Sequence, residues 1–140
     1  MSVAKQAPRL DRVHLALARL ALARGDDSVA AEHYGAAIML QPGSKTIANE
    51  LAWLLATSAD PAVRNVDAAT AAAEQLAKDD ENPHHLDTLA AAYAAGGRFD
   101  DAVRTAARAA ELAEHGADAT QLAGIRRNLD RYRARQTAAR

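Results

Sequence analysis

The segment DRVHLALARLALARGDDSVAAEHYGAAIMLQPGS, residues 11–44, contains two helical patterns separated by a turn. Gly25 follows the first pattern, and glycine enters the left-handed conformation that often ends a helix without steric cost. Pro42 follows the second pattern and cannot continue a helix. The segment therefore predicts a pair of helices. Apolar residues recur at helical spacing in both: Val13, Leu17, Leu20 and Ala21 in the first, and Ala30, Tyr34, Ala37 and Ile38 in the second.

The same residue types return at matching offsets further along the chain. Leu17-Ala18 recurs as Leu51-Ala52, which lies 34 residues later, and again as Leu89-Ala90. The turn glycine and the alanine after it, Gly25 and Ala30, recur as Gly97 and Ala102. Helix pairs repeated at such a period are typical of proteins in which each pair packs on the next.

This pattern resembles the tetratricopeptide repeat, which places Leu and a small residue on its first helix, Gly at the turn, Ala on its second helix and Pro near its end. The resemblance implies an all-α, right-handed α-solenoid of three helix-turn-helix repeats followed by a C-terminal capping helix. We expect a flexible N-terminus at residues 1–8 and a single domain at 9–140, with repeats at about 11–44, 45–82 and 83–116 and a capping helix at about 118–136. The seven predicted helices lie near residues 9–24, 26–40, 44–58, 65–78, 83–95, 99–114 and 118–136.

The second repeat departs from the period, because the interval from Ala52 to Ala69 is five residues longer than that from Ala18 to Ala30. The extra residues predict a longer turn, with a short helical piece beginning at Asp60. This repeat resembles an elongated variant found in bacterial tetratricopeptide proteins, often near their C-terminal ends, so the chain is expected to be a whole protein or the tail of a larger bacterial one. Side chains able to cap the second helices of the first two repeats are Asp26 or Ser28, and Asn65 or Asp67.

Length and composition exclude several classes of function. A length of 140 residues fits one domain, and a net charge of −1 argues against a general nucleic-acid binder. The absence of cysteine removes disulfides, thiol catalysis and thiolate metal sites. No apolar run approaches the length of a membrane span. The compartment stays open: cytoplasmic by default, with the periplasm an alternative.

Each set of residues that could carry catalytic or metal-binding chemistry has a simpler structural explanation. The five histidines are scattered without the helical spacing of metal ligands, and Gly96-Gly97 is accounted for by a helix turn. The acidic run Asp79-Asp80-Glu81 lacks the spacing of a calcium loop, and we expect a solvated loop there. The arginines of the last helix are expected to form the polar face of a cap. We therefore expect no enzyme activity, no metal and no cofactor.

The resemblance implies that the first helix of each repeat lines a concave groove, in which the chain binds a segment of another protein or peptide. Arg12 and Arg19 would be neighbouring positive donors, which favours a ligand with its acidic end toward the first repeat. Trp53 is either an aromatic anchor in this groove or packed under the Ser58–Arg64 turn, and the second placement is preferred. The alternative function is a structural or oligomerisation domain that self-associates. The candidate partner-binding residues are Arg12, Arg19, Asn49, Glu50, Trp53, His84 and Asp87.

Overall fold

The computed structural model describes residues 9–116 and 118–139, and this part of the chain contains seven α-helices and no strand. The all-α class and the seven predicted helices are confirmed, with ends that differ from the predicted ones by at most two residues. The predicted flexible segment 1–8 lies outside the described residues. The helices are α1 (Leu10–Ala23), α2 (Asp27–Leu40), α3 (Lys45–Thr57), α4 (Val66–Asp79), α5 (Pro83–Ala95), α6 (Phe99–Glu114) and α7 (Ala119–Ala138).

Two glycines end the first helices of the first and third helix pairs in the same way. Gly25 has φ 76° and Gly97 has φ 78°, both in the left-handed region. The next residue then turns its N–H back onto the helix, so that Asp26 donates to the carbonyl of Ala21 at 2.9 Å and Arg98 donates to that of Tyr93 at 2.8 Å. This is the Schellman arrangement, and it satisfies carbonyls that the helix end would leave unpaired.

Side-chain caps begin most of the other helices. Of the alternatives left open by the sequence, Asp26 caps α2 and Asn65 caps α4. The remaining caps are Ser44 on α3, Asn82 on α5 and Asp118 on α7, each accepting from the N–H three residues later. Because Ser, Asp and Asn oxygens satisfy the free amides of a first turn, these residues fix where the helices start.

The long connection between α3 and α4 contains one hydrogen-bonded turn and no separate helix. The N–H groups of Val63 and Arg64 donate to the carbonyl of Asp60 at 3.0 and 2.9 Å. Ser58 is buried, and its hydroxyl donates to the Asp27 carboxylate of α2 at 2.6 Å. Val63 packs into the same buried cluster as Leu54. The connection is therefore a packed part of the fold.

Each helix packs against the next one in the chain, and α3 also packs on α5. Alanine makes the closest contacts: Ala18 of α1 and Ala30 of α2 are completely buried in one cluster, since small side chains let two helices approach. At the other end of the chain, Ile125, Leu129 and Tyr132 of α7 are buried against α5 and α6. None of the described helices combines the length and apolar character needed to cross a membrane.

Three of the four apolar residues that recur at helical spacing in α1 do not reach the core. Ala21 is buried, but Val13, Leu17 and Leu20 are exposed. The buried side of α1 is instead formed by Ala18 and Ala21, because α2 packs there, and α1 makes no comparable contact with any other described helix.

Candidate functional site

Trp53 projects from α3 between two clefts and lines both of them. Its side chain is half-buried. Its neighbour Leu54 shares a buried cluster with Val63 of the α3–α4 connection. The Trp53 ring itself borders both clefts, and Arg64 of the same connection lines one of them with it.

The first cleft, here called the polar cleft, has a volume of about 250 Å³. It collects five of the seven candidate residues predicted from the sequence. Its lining consists of Leu22, Tyr34, Asn49, Glu50, Trp53, His84, Asp87 and Thr88. The side-chain carbonyl of Asn49 is buried and accepts no hydrogen bond from any described residue.

Glu50 connects three helices at the edge of the polar cleft. The guanidinium of Arg19 donates to its two oxygens at 2.8 and 2.6 Å, and the Tyr34 hydroxyl donates to it at 3.1 Å. Burial raises the pKa of Tyr34 to about 12, and the charge of Glu50 adds to that shift. Arg19 thus lies beside the cleft with its charge paired. The helical pattern of the sequence predicted only that Tyr34 lies in the core. It gives no indication that the Tyr34 hydroxyl donates to Glu50.

Asp87 lies on the α5 side of the polar cleft. Burial raises the pKa of its carboxyl, although a hydrogen bond from the Asn128 amide at 3.3 Å opposes this. Of the other candidates, His84 is exposed on the rim, whereas Arg12 is exposed on α1 and lines neither cleft. The pairing of Arg12 and Arg19 as adjacent free donors is therefore not formed.

The second cleft, here called the basic cleft, has a volume of about 660 Å³. Its lining combines alanines of α3 and α5, the Trp53 ring, and arginines from α7 and from the α3–α4 connection. The guanidinium of Arg135 lies 5.0 Å from the centre of the Phe99 ring. The lining residues are Trp53, Ala56, Thr57, Arg64, Ala91, Ala94, Ala95, Phe99, Arg131, Tyr132, Ala134 and Arg135.

Three arginines of the basic cleft have charges available to a ligand. Arg64, Arg131 and Arg135 are exposed, and within the described residues none of them has a carboxylate at ion-pair distance. Arg64 donates to the carbonyl of Ala95 at 3.3 Å, and Arg131 donates to the side chain of Asn128. The cleft therefore carries three cationic side chains without an ion-pair partner among the described residues, although the charge of Arg131 acts on the Asp87 carboxyl.

The basic cleft was not predicted from the sequence, because the arginines of α7 were interpreted as the solvated face of a capping helix. Tyr132 is buried in a cluster with Ala90 and Ala102, and this packing fixes the rotation of α7. Arg131 and Arg135 are four residues apart, so they share one side of the helix beside Tyr132. That spacing was the one available signal, although other arginine pairs on α7 have similar spacing.

Fold and site together define an all-α protein of packed helix pairs in which an accessible tryptophan separates a basic cleft from a polar one. In the described residues no group of three or more His, Asp or Glu is arranged to hold a metal ion. Compared with models of known protein families and with curated proteins, the chain gives no match.

Proposed function

We propose that this chain is a tetratricopeptide-type α-solenoid without catalytic activity, which acts as a scaffold by binding an extended segment of another protein. The repeat architecture is supported by the matching glycine turns at Gly25 and Gly97, by the close contact of Ala18 with its partner helix and by the packing of α3 on α5. In this arrangement α1, α3, α5 and α7 would share one concave face. A crystal structure that separated these helices onto different faces would overturn the solenoid part of the proposal.

The position of Trp53 carries the binding proposal. A half-buried tryptophan with free space on both sides offers a large apolar surface, and such residues provide much of the affinity at protein interfaces. Polar groups around it would fix the orientation of the ligand. Asn49 offers an unused acceptor on one side, and the arginines of α7 offer donors on the other.

Charge sets the direction in which the segment lies. Arg19 is paired with Glu50, so the first helix pair offers less positive charge than the sequence implied. Arg64, Arg131 and Arg135 are the available cations, and all three line the basic cleft. We therefore reverse the orientation expected from the sequence: the acidic end of the ligand lies in the basic cleft, toward α7.

Because Trp53 is the single tryptophan of the chain, its fluorescence reports on the site directly. The probes are two pools of random decapeptides without Trp or Tyr, one rich in Asp and Glu and the other rich in Lys and Arg. The acidic pool is expected to change Trp53 emission with micromolar affinity, about −8 kcal/mol, since a short and partly solvated groove gives modest binding. The basic pool is expected to give no change at the same concentrations.

Matched variants test which arginines bind the ligand. Arg135→Ala is expected to weaken binding of the acidic pool about 10-fold, because it removes one charged hydrogen-bond donor. Arg133→Ala on the same helix is the control, since Arg133 is also exposed but lies 4.0 Å from Asp130 and lines neither cleft. Equal responses to the two pools, or equal losses in the two variants, would contradict the proposal.

A further inference from the structure

The first helix pair carries an apolar surface that no described helix covers. We call it the N-terminal face. Every exposed large apolar side chain in the described part of the chain lies on α1 or α2. Two of them are not part of this face: Leu22 lines the polar cleft, and Met39 extends into solvent near the end of α2. The residues of the N-terminal face are Leu10, Val13, Leu17 and Leu20 of α1 and Val29 and Leu40 of α2.

A histidine contact shows that the two helices contribute to one continuous surface. His14 of α1 and His33 of α2 bring their Nδ1 atoms to 3.0 Å. Leu17 lies one turn from His14, and Val29 lies one turn from His33 in the opposite chain direction. Since α1 and α2 run antiparallel, both residues flank the same side of the histidine contact.

We infer that the N-terminal face binds the same face of a second copy of this chain, giving a two-fold symmetric dimer. The other end of the helix stack supports self-complementary pairing, because the exposed positions of α7 include five arginines and no large apolar side chain that would cover leucines. A head-to-tail contact would bury that charge against apolar side chains. Face-to-face pairing instead places leucine on leucine, as a symmetric interface requires.

The exposed area is sufficient for such a dimer. From their fractional exposures, the six side chains offer roughly 450 Å² of apolar surface per chain. A standard interface buries about 800 Å² per partner, of which somewhat more than half is apolar, so roughly 450 Å² is needed. The eight residues before Arg9 contain only Met1 and Val3 as larger apolar side chains, which is too few to replace a second chain.

Arg24 determines how the two α1 helices align. It lies one turn beyond Leu20 on the same stripe and is exposed. A parallel pair would bring Arg24 against its own copy, whereas an antiparallel pair moves the two arginines to opposite ends. The antiparallel alignment places Leu10 opposite Leu20 of the second chain.

Sedimentation equilibrium over micromolar to sub-millimolar concentrations tests this inference. The full chain is expected to approach twice its mass of 14.8 kDa. Leu17→Lys is expected to raise the dimer dissociation constant at least about 100-fold, because each interface loses two central leucines and gains facing charges. Leu22→Lys is the matched control: it has the same helix, the same substitution and a similar exposure (38% against 39%), but its side chain lines the polar cleft. It is expected to leave the dimer unchanged.

A chain that stays monomeric at all concentrations overturns the inference, and so does a dimer that Leu17→Lys does not weaken. If removing residues 1–8 converts a monomer into a dimer, those residues cover the face and the inference is wrong for the full chain. Since the chain has no native cysteine, Leu10→Cys and Leu20→Cys test the alignment. Oxidation of the mixed variants is expected to link the two chains, and efficient linking of Leu10→Cys alone would overturn the antiparallel arrangement.

Discussion

Arg19 and Glu50, which are 31 residues apart in the chain, form a bidentate ion pair between the first helices of two successive helix pairs. The pair neutralises the one candidate arginine beside the polar cleft. It also supplies Glu50 as the acceptor for Tyr34. The Arg19 guanidinium thus contributes to the junction between the first two helix pairs instead of being free for a ligand.

A double-mutant cycle with Arg19→Ala and Glu50→Ala is expected to give a coupling energy of about 0.5–1 kcal/mol, because both side chains are partly solvated. Glu50→Ala alone is expected to cost more than Arg19→Ala alone, since it also leaves the Tyr34 hydroxyl without its acceptor. Urea denaturation followed by circular dichroism measures both effects. A coupling that does not decline at high salt would contradict this explanation.

Leu89 of α5 is buried, and Leu89→Ala is expected to lower the free energy of unfolding by roughly 2–5 kcal/mol, because it removes most of a buried side chain and leaves a cavity. Met39→Ala is the control, since Met39 is 81% exposed and its truncation is expected to cost less than about 0.5 kcal/mol. A loss below about 1 kcal/mol for Leu89→Ala would show that its surroundings relax around the smaller residue.

The raised pKa of Asp87 predicts a pH dependence with a defined sign. Since the folded carboxyl holds its proton more tightly than the unfolded one, the folded state binds more protons between the ordinary value of 3.8 and the raised pKa. The contribution of Asp87 to stability therefore falls as pH rises through that window and stays constant above it. Asp87→Asn removes this dependence and keeps an acceptor for Asn128.

The stability of Asp87→Asn relative to the unmodified chain is accordingly expected to increase from pH 4 toward neutrality, measured by urea denaturation at several pH values. Asp130→Asn is a suitable control, because Asp130 is an exposed carboxylate on α7. A difference between Asp87→Asn and the unmodified chain that is constant with pH would contradict the burial of Asp87 as the cause.

Removal of residues 118–140 is expected to destabilise α6 first, because Ile125 and Leu129 cover Ala106 and Ala109. In a stack of helix pairs the loss of an end helix propagates inward from that end. Hydrogen exchange of residues 99–113 measures the loss of protection. A shorter deletion, of residues 137–140, leaves the buried contacts of α7 in place and is expected to have little effect. Full protection of residues 99–113 in the longer deletion would mean that α7 does not shield them from exchange.

Helix positions were predictable because their ends depend on local chemistry. Glycine at Gly25 and Gly97 and the side chains of Ser44 and Asn82 act within one turn of where they stand. The direction of the α1 leucine stripe was not predictable in this way. Periodicity identifies an apolar side, but only the identity of the neighbouring helices decides whether that side is covered.

The polar cleft was largely predictable and the basic cleft was not. Candidates on α3 and α5 met because these two helices pack directly on each other, as Asn49 and Asp87 show. Arg131 and Arg135 belong to a helix outside the repeats. Their position depends on how Tyr132 packs, which no pattern in the chain encodes locally.

The His14–His33 contact makes two identical side chains unequal. A hydrogen bond between two Nδ1 atoms requires that one of them carries the hydrogen and the other accepts it. In neutral rings, the donor must then have a bare Nε2 and the acceptor must have a protonated Nε2. The pair consequently presents one acceptor and one donor on its outer atoms, and the two tautomers can exchange only together.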